Sequence, residues 1–196
     1  MNYLAHIFLS FGSEDVLIGN FIADFIKNKE LPLYSASVQK GILLHREIDS
    51  YTDNHAIIRR GAKRLRAKHG KYAAVVIDIL YDNLLANNWQ DYHKQPLPTY
   101  TKTVYAIFKK RMEELPELLQ RSLPQMMAHD WLTHYQTDEG ITRALKSLDR
   151  RTRFPSQFVV ALEELNRDRA LYNEEFHQFF PDVIEFAKDY LANYED

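Results

Sequence analysis

Apolar residues recur at three- and four-residue spacing along nearly the whole chain, and no run shows the strict alternation of a half-buried strand. That period predicts an all-α fold. The helix signals begin with a short helix over about Tyr3 to Leu9, stopping near Gly12, and a second capped by Ser13 that carries Glu14 and Asp15 in its first turn and reaches about Lys27. A third covers about Ser35 to Tyr51, a fourth about Ala56 to His69 with Gly70 as its stop, and a fifth about Lys71 to Asn88. Beyond the linker Gln95-Pro96-Leu97-Pro98, the pattern predicts a helix from Thr99 to Leu115 broken at Pro116 and another opened by Pro124. Thr137 with Asp138 opens the next, and Pro155 and Pro181 open the last two. A chain of 196 residues without an internal repeat is expected to form one domain over residues 1–196, a helical bundle with a single core.

Within that bundle the ligand chemistry is restricted. The chain has no Cys, which removes disulfides, thiolate nucleophiles and thiolate-bound metals, and leaves N and O side chains as the possible metal ligands. No stretch approaches the roughly 18 consecutive apolar residues of a membrane span; the best, Val16 to Ile26, is interrupted by Asn20 and Asp24. The opening MNYLAHIFLSF has no basic leading segment and no small-residue cleavage site, so a cytoplasmic protein without a membrane partner is expected. No glycine-rich phosphate loop, dinucleotide fingerprint or nucleophile elbow occurs.

The informative residues are ionisable groups set inside the most apolar helices. Asp78 and Asp82 stand four apart among Val75, Val76, Ile77, Ile79, Leu80, Leu84 and Leu85. Two carboxylates in a dry setting require a cation or strong donors, because burying even one unpaired costs several kcal/mol. Asp24 lies amid Phe21, Ile22, Phe25 and Ile26, His6 amid Leu4, Ile7, Phe8 and Leu9, and the segment LLHREID puts His45 and Asp49 four apart on one helix face. Each alone has an ordinary reading as a core histidine or a buried ion pair, for instance with Arg46. Together they form a candidate site suited to Mn²⁺, Fe²⁺, Mg²⁺ or Zn²⁺. His129-Asp130 and the single Glu174-x-x-His177 are weaker motifs, the latter because a di-iron bundle needs two copies.

Charge is distributed unevenly. Although the net charge is −2, Arg59, Arg60, Lys63, Arg64, Arg66, Lys68 and Lys71 follow one another with no intervening acid, so the rest of the chain is distinctly acidic. A solvated face, a dock for an acidic protein and a nucleic-acid patch are the three readings of that helix, and the acidic remainder argues against nucleic acid.

Four segments then carry a resemblance: MNYLAHIFLS at the start, IGNFIADF from Ile18, GILLHREIDSYTDNH from Gly41 and DILYDNLLANNW from Asp78. In order and spacing they resemble the acyl-carrier-protein phosphodiesterase family, with WLTHYQTDEGITRAL from Trp131 and Arg150-Arg151 similar to its C-terminal half. The resemblance implies an all-helical, divergent relative of the HD phosphohydrolases that uses Mn²⁺ to cleave 4′-phosphopantetheine from the serine of holo acyl carrier protein. It assigns metal roles to His6, Asp24, His45, Asp49, Asp78 and Asp82, leaving open which of them ligate. If not ligands, Asp49 or Asp82 could position the water, and Arg46 could reach a phosphate. The acidic carrier protein would dock near Arg59, Arg60, Lys63 and Arg64. Two other readings stand beside it: an HD-like hydrolase of a nucleotide or small phosphoester, and a non-enzymatic helical binding protein whose buried acids are ion-paired.

Overall fold

A computed structural model describes residues 1–150 and 158–194. Among the described residues every regular element is helical: α1 (Tyr3–Phe8), α2 (Glu14–Ile22), α3 (Ala36–Asn54), α4 (Ala56–His69), α5 (Ala73–Asn87), α6 (Trp89–Tyr92), α7 (Leu97–Lys110), α8 (Glu117–Ala128), α9 (Trp131–His134), α10 (Asp138–Asp149), α11 (Val160–Arg167) and α12 (Arg169–Asn193). The all-α expectation is met. None of these helices is long and apolar enough to cross a membrane.

The packing that matters for function is that of α2 against α3. A Cβ at Gly19 would collide with the Val38 carbonyl, and one at Gly41 with the Val16 carbonyl. Only glycines at these two positions let the helices meet backbone to backbone. Gly19 precedes Asn20 and Gly41 lies one turn before His45, so the close approach delivers these two polar residues to each other inside the core. The short α1 is buried along its length, from Leu4 to Phe8. Its first backbone N–H groups are out of reach of water and need an acceptor from elsewhere. Asp82, projecting from α5 and fully buried, accepts from Leu4 N at 2.8 Å and Ala5 N at 3.3 Å.

Several helix boundaries differ from the sequence expectations. The second helix ends at Ile22 rather than Lys27, because the chain tightens into a 3₁₀ turn over Ala23–Phe25, with Ile26 N bonding to Ala23 O. That turn carries Asp24 out of the apolar stripe, leaving its side chain 64% exposed. Pro124 does not open a helix; α8 begins after Pro116 and carries Pro124 in its interior. Pro181 likewise sits within α12. Both prolines are exposed, so water can serve the carbonyl that each deprives of a donor. The helix start assigned to Pro155 lies outside the described residues. In contrast, α4 spans the predicted Ala56–His69 and stops at Gly70, whose φ of 54° suits a residue without a side chain.

Candidate metal centre and active site

Asn20 organises the site. Its side-chain amide nitrogen donates to the His6 carbonyl at 2.8 Å and to Ser10 Oγ at 3.3 Å, which fixes Oδ1 as the acceptor end. His6 Nδ1 lies 2.8 Å from that Oδ1, and His45 Nδ1 lies 2.8 Å from the Asn20 backbone carbonyl. Both partners can only accept, so both imidazoles carry a hydrogen on Nδ1 and direct Nε2 the other way. The two rings stack, with centroids 3.8 Å apart and planes 16° from parallel.

Opposite the two Nε2 atoms stand carboxylates. His6 Nε2 is 3.1 Å from Asp49 Oδ1; His45 Nε2 is 3.2 Å from Asp49 Oδ2 and 3.3 Å from Asp24 Oδ1. Burial, followed by the neighbouring His45 charge, pushes His6 down to about 4, so at neutral pH it is uncharged. A neutral His6 therefore presents a lone pair to a carboxylate oxygen, an arrangement that a cation between them satisfies. For His45, burial acts downward, but hydrogen bonds with Asp24 and Asp49 outweigh it and raise the group to about 9. Asp49 is pushed upward by burial and downward by the hydrogen bond from His45 and by the Met1 ammonium; the downward effects win, holding it well below the usual carboxylate range. One ligand atom each from His6, His45 and Asp49 falls within 4.8 Å of the others. Two imidazole nitrogens tied at their far side to carbonyl oxygens, with a carboxylate facing them, form a donor set that fits a divalent metal.

A family model described as acyl carrier protein phosphodiesterase matches residues 1–183. The chain belongs to this family. It is 27% identical over 190 residues to the acyl carrier protein phosphodiesterase of Serratia proteamaculans strain 568, covering 96% of this chain and 98% of that protein. It is 28% identical over 194 residues to the protein of the same name from Photorhabdus laumondii, covering 96% of each, and 25% identical over 190 residues to that of Enterobacter sp. strain 638. No solved structure matches.

In this acyl carrier protein phosphodiesterase family member, the six candidates fall into two groups. His6, Asp24, His45 and Asp49 converge on the paired Nε2 atoms. Asp78 stands behind them: its Oδ1 is 3.1 Å from the Met1 α-ammonium, which also lies 3.4 Å from Asp49 Oδ1. Burial raises Asp78, against the attraction of that ammonium, and the ammonium is itself raised to about 10 because the neighbouring aspartates outweigh its burial. The donors that the Asp78 and Asp82 pair needs are thus on hand, the ammonium for one and the α1 backbone for the other. Arg46 bonds to Asn28 Oδ1 at 2.9 Å and to the Ile26 carbonyl at 3.1 Å. His129 is exposed, Glu174 bonds Gln178, and His177 Nδ1 pairs with the Tyr92 hydroxyl at 2.8 Å, so neither weaker motif joins the cluster.

Asn20 and the Met1 ammonium were missed by sequence reasoning. Asn20 did leave a signal, since it is a lone amide inside an apolar run four residues before Asp24. The basic helix also differs from a simple solvated face. Arg60 Nε reaches Glu175 at 2.8 Å, Arg64 forks onto the same buried carboxylate, and Lys68 and His69 meet Glu164 at 3.4 and 2.8 Å. Arg59 bonds Asn54 and the Asp53 carbonyl.

Proposed function

We propose that the chain is a metal-dependent phosphodiester hydrolase that removes 4′-phosphopantetheine from holo acyl carrier protein, with His6, His45 and Asp49 as core ligands and Mn²⁺ as the metal. Two things support the reading: membership of the family, and two imidazole Nε2 atoms directed at one carboxylate. A bound cation would supply positive charge to the phosphoryl oxygens and lower the pKa of water from 15.7 toward roughly 7 to 9. Asp24, Asp49 and Asp78 line the same cavity, and three carboxylates repel a phosphodiester anion unless such charge is present.

The chain's own residues then have separate tasks. Asn20 fixes the histidine tautomers. Asp24 is mostly exposed and touches His45 Nε2, which places it to join the ligands or to orient the attacking water. Asp82 acts by holding α1, and through it His6. Arg46 secures the turn that carries Ile26 and Asn28 beside Asp24. Hydrolysis of the P–O bond to the carrier serine returns a serine hydroxyl and releases 4′-phosphopantetheine with the added water oxygen.

The acidic carrier docks on α4 in this reading, near Arg59, Arg60, Lys63 and Arg64, with the exposed Lys63 and Arg66 offering charge not drawn into the Glu175 and Glu164 pairs. Intact mass of holo carrier protein incubated with enzyme and Mn²⁺ tests the whole proposal. Conversion to apo protein that stops with chelator and in His45→Ala is expected. A carrier that keeps its prosthetic group overturns it.

A further inference from the structure

The ligand cluster opens into a cavity of about 310 Å³, whose wall includes Asp24, Asp49 and Asp78. The same cavity is lined by Ile79 from α5, Met126 from α8, Trp131 from α9, and Ala144 and Leu148 from α10. A smaller cavity of about 40 Å³ shares Trp131, Tyr135, Ala144 and Ser147 with it but touches none of the three aspartates. The wall made by α9 and α10 is therefore distinct from the carboxylates, and it is mainly apolar. It also holds unused polar capacity: among the described residues, the buried Trp131 Nε1–H has no hydrogen-bond partner. A buried donor left unpaired is unfavourable, and a ligand acceptor can recover that loss.

We infer that this cavity is the binding subsite for the pantetheine arm of the substrate, with the phosphodiester at the aspartate side and the arm laid along the Met126, Trp131 and Ala144 wall. This rests on the hydrolase reading above. The arm's chemistry matches the surface: geminal methyl groups beside the phosphate suit an apolar wall, and two amide carbonyls offer acceptors to the Trp131 N–H and the Ser147 hydroxyl. The volume lies at the lower limit of the roughly 300–1,000 Å³ seen for small-molecule pockets. Trp131 and Ala144 are thereby specificity-determining positions, and the pocket selects the prosthetic group while the protein surface selects the carrier.

Pantetheine, which lacks the phosphate, is the discriminating probe. It is expected to inhibit turnover of holo carrier protein competitively and to alter tryptophan fluorescence, a change lost in Trp131→Phe. Ala144→Phe, which fills the cavity, should raise KM for holo carrier protein at least tenfold and abolish pantetheine inhibition. Its Mn²⁺ affinity, measured by isothermal titration, should stay within twofold of the parent. Trp131→Phe keeps an aromatic ring and removes the donor, and should raise KM about fivefold with helicity unchanged, so the subsite remains testable even if the Ala144 variant misfolds. An enzyme that converts holo carrier protein but ignores pantetheine overturns the subsite and leaves the hydrolase reading intact. Loss of Mn²⁺ affinity in step with turnover in the two variants, or no loss of turnover in either, also overturns it. Failure of the parent enzyme on every carrier substrate overturns the hydrolase reading itself.

Discussion

Asn20 shows how one amide can set the chemistry of two histidines. Replacing it with Ala deletes the acceptor at His6 Nδ1 and the donors to the His6 carbonyl and Ser10, while the backbone acceptor for His45 survives. Asn20→Ala is expected to weaken Mn²⁺ binding roughly 10- to 100-fold, the usual cost of losing a partner that orients a ligand, with helical circular dichroism retained. Isothermal titration with Mn²⁺ checks this, and unchanged affinity would remove Asn20 from the site. Asp82 makes a second prediction, about pH. Burial, moderated by the Leu4 and Ala5 N–H donors and the Met1 ammonium, raises its carboxyl from 3.8 to about 7. Between those values the folded protein holds a proton that the unfolded chain has released, so this stabilisation is present below about pH 4 and is lost as pH rises through 7. Asp82→Asn cannot titrate there. Urea unfolding at pH 5 and pH 7 should show the parent losing stability relative to the variant by up to about 1.4 kcal/mol per pH unit. Parallel pH profiles would mean that Asp82 is ionised throughout.

At the scale of the element, the string of cations on α4 divides into paired and exposed residues. Arg64 and Arg60 both reach Glu175, whose side chain is only 3% exposed, and the Arg64 guanidinium also lies 4.6 Å from the centroid of the Tyr172 ring. These arginines therefore fasten α4 to α12. Arg64→Ala strands a buried carboxylate with one remaining partner, and a loss on the order of 3 kcal/mol in unfolding free energy is expected, within the range for breaking a buried pair. Lys63→Glu with Arg66→Glu changes exposed charges instead. It should leave the melting temperature nearly unchanged, raise KM for holo carrier protein and flatten its salt dependence, because peripheral charges act mainly on association. Stopped-flow or initial-rate measurements at two ionic strengths separate these outcomes. If the Lys63 and Arg66 double variant keeps the parent KM, the carrier docks elsewhere.

For the whole molecule, the proposed metal would link to the fold. His6 comes from α1 and His45 and Asp49 from α3, so a bound ion would join these two helices directly and α2 through Asn20, an arrangement the unfolded chain cannot assemble. At a Mn²⁺ concentration 100-fold above its dissociation constant, the folded state gains about 2.7 kcal/mol. For a protein of this size, that corresponds to a rise of roughly 5–10 °C in melting temperature. Chelator should reverse the rise, and Asp49→Asn and His45→Ala should abolish it. Scanning calorimetry with and without Mn²⁺ provides the test, and an unresponsive parent would exclude a structural link to the metal.

What the sequence determined by itself was local. Spacing revealed the helices, Gly70 ended α4, and polar residues within apolar stripes marked His6, Asp24, His45, Asp49, Asp78 and Asp82, because a helix repeats its face every three to four residues. The Pro124 and Pro181 signals failed because an exposed proline can sit within a helix whose lost bond is exchanged for water. Tertiary structure alone decided how the acids divide. Whether a buried carboxylate meets a histidine, an ammonium or a backbone N–H depends on which helix packs against it. The backbone contact at Gly19 and Gly41 brought Asn20 to His45, the packing of α5 against α1 brought Asp82 to the start of α1, and His6, His45 and Asp49 were left facing one point.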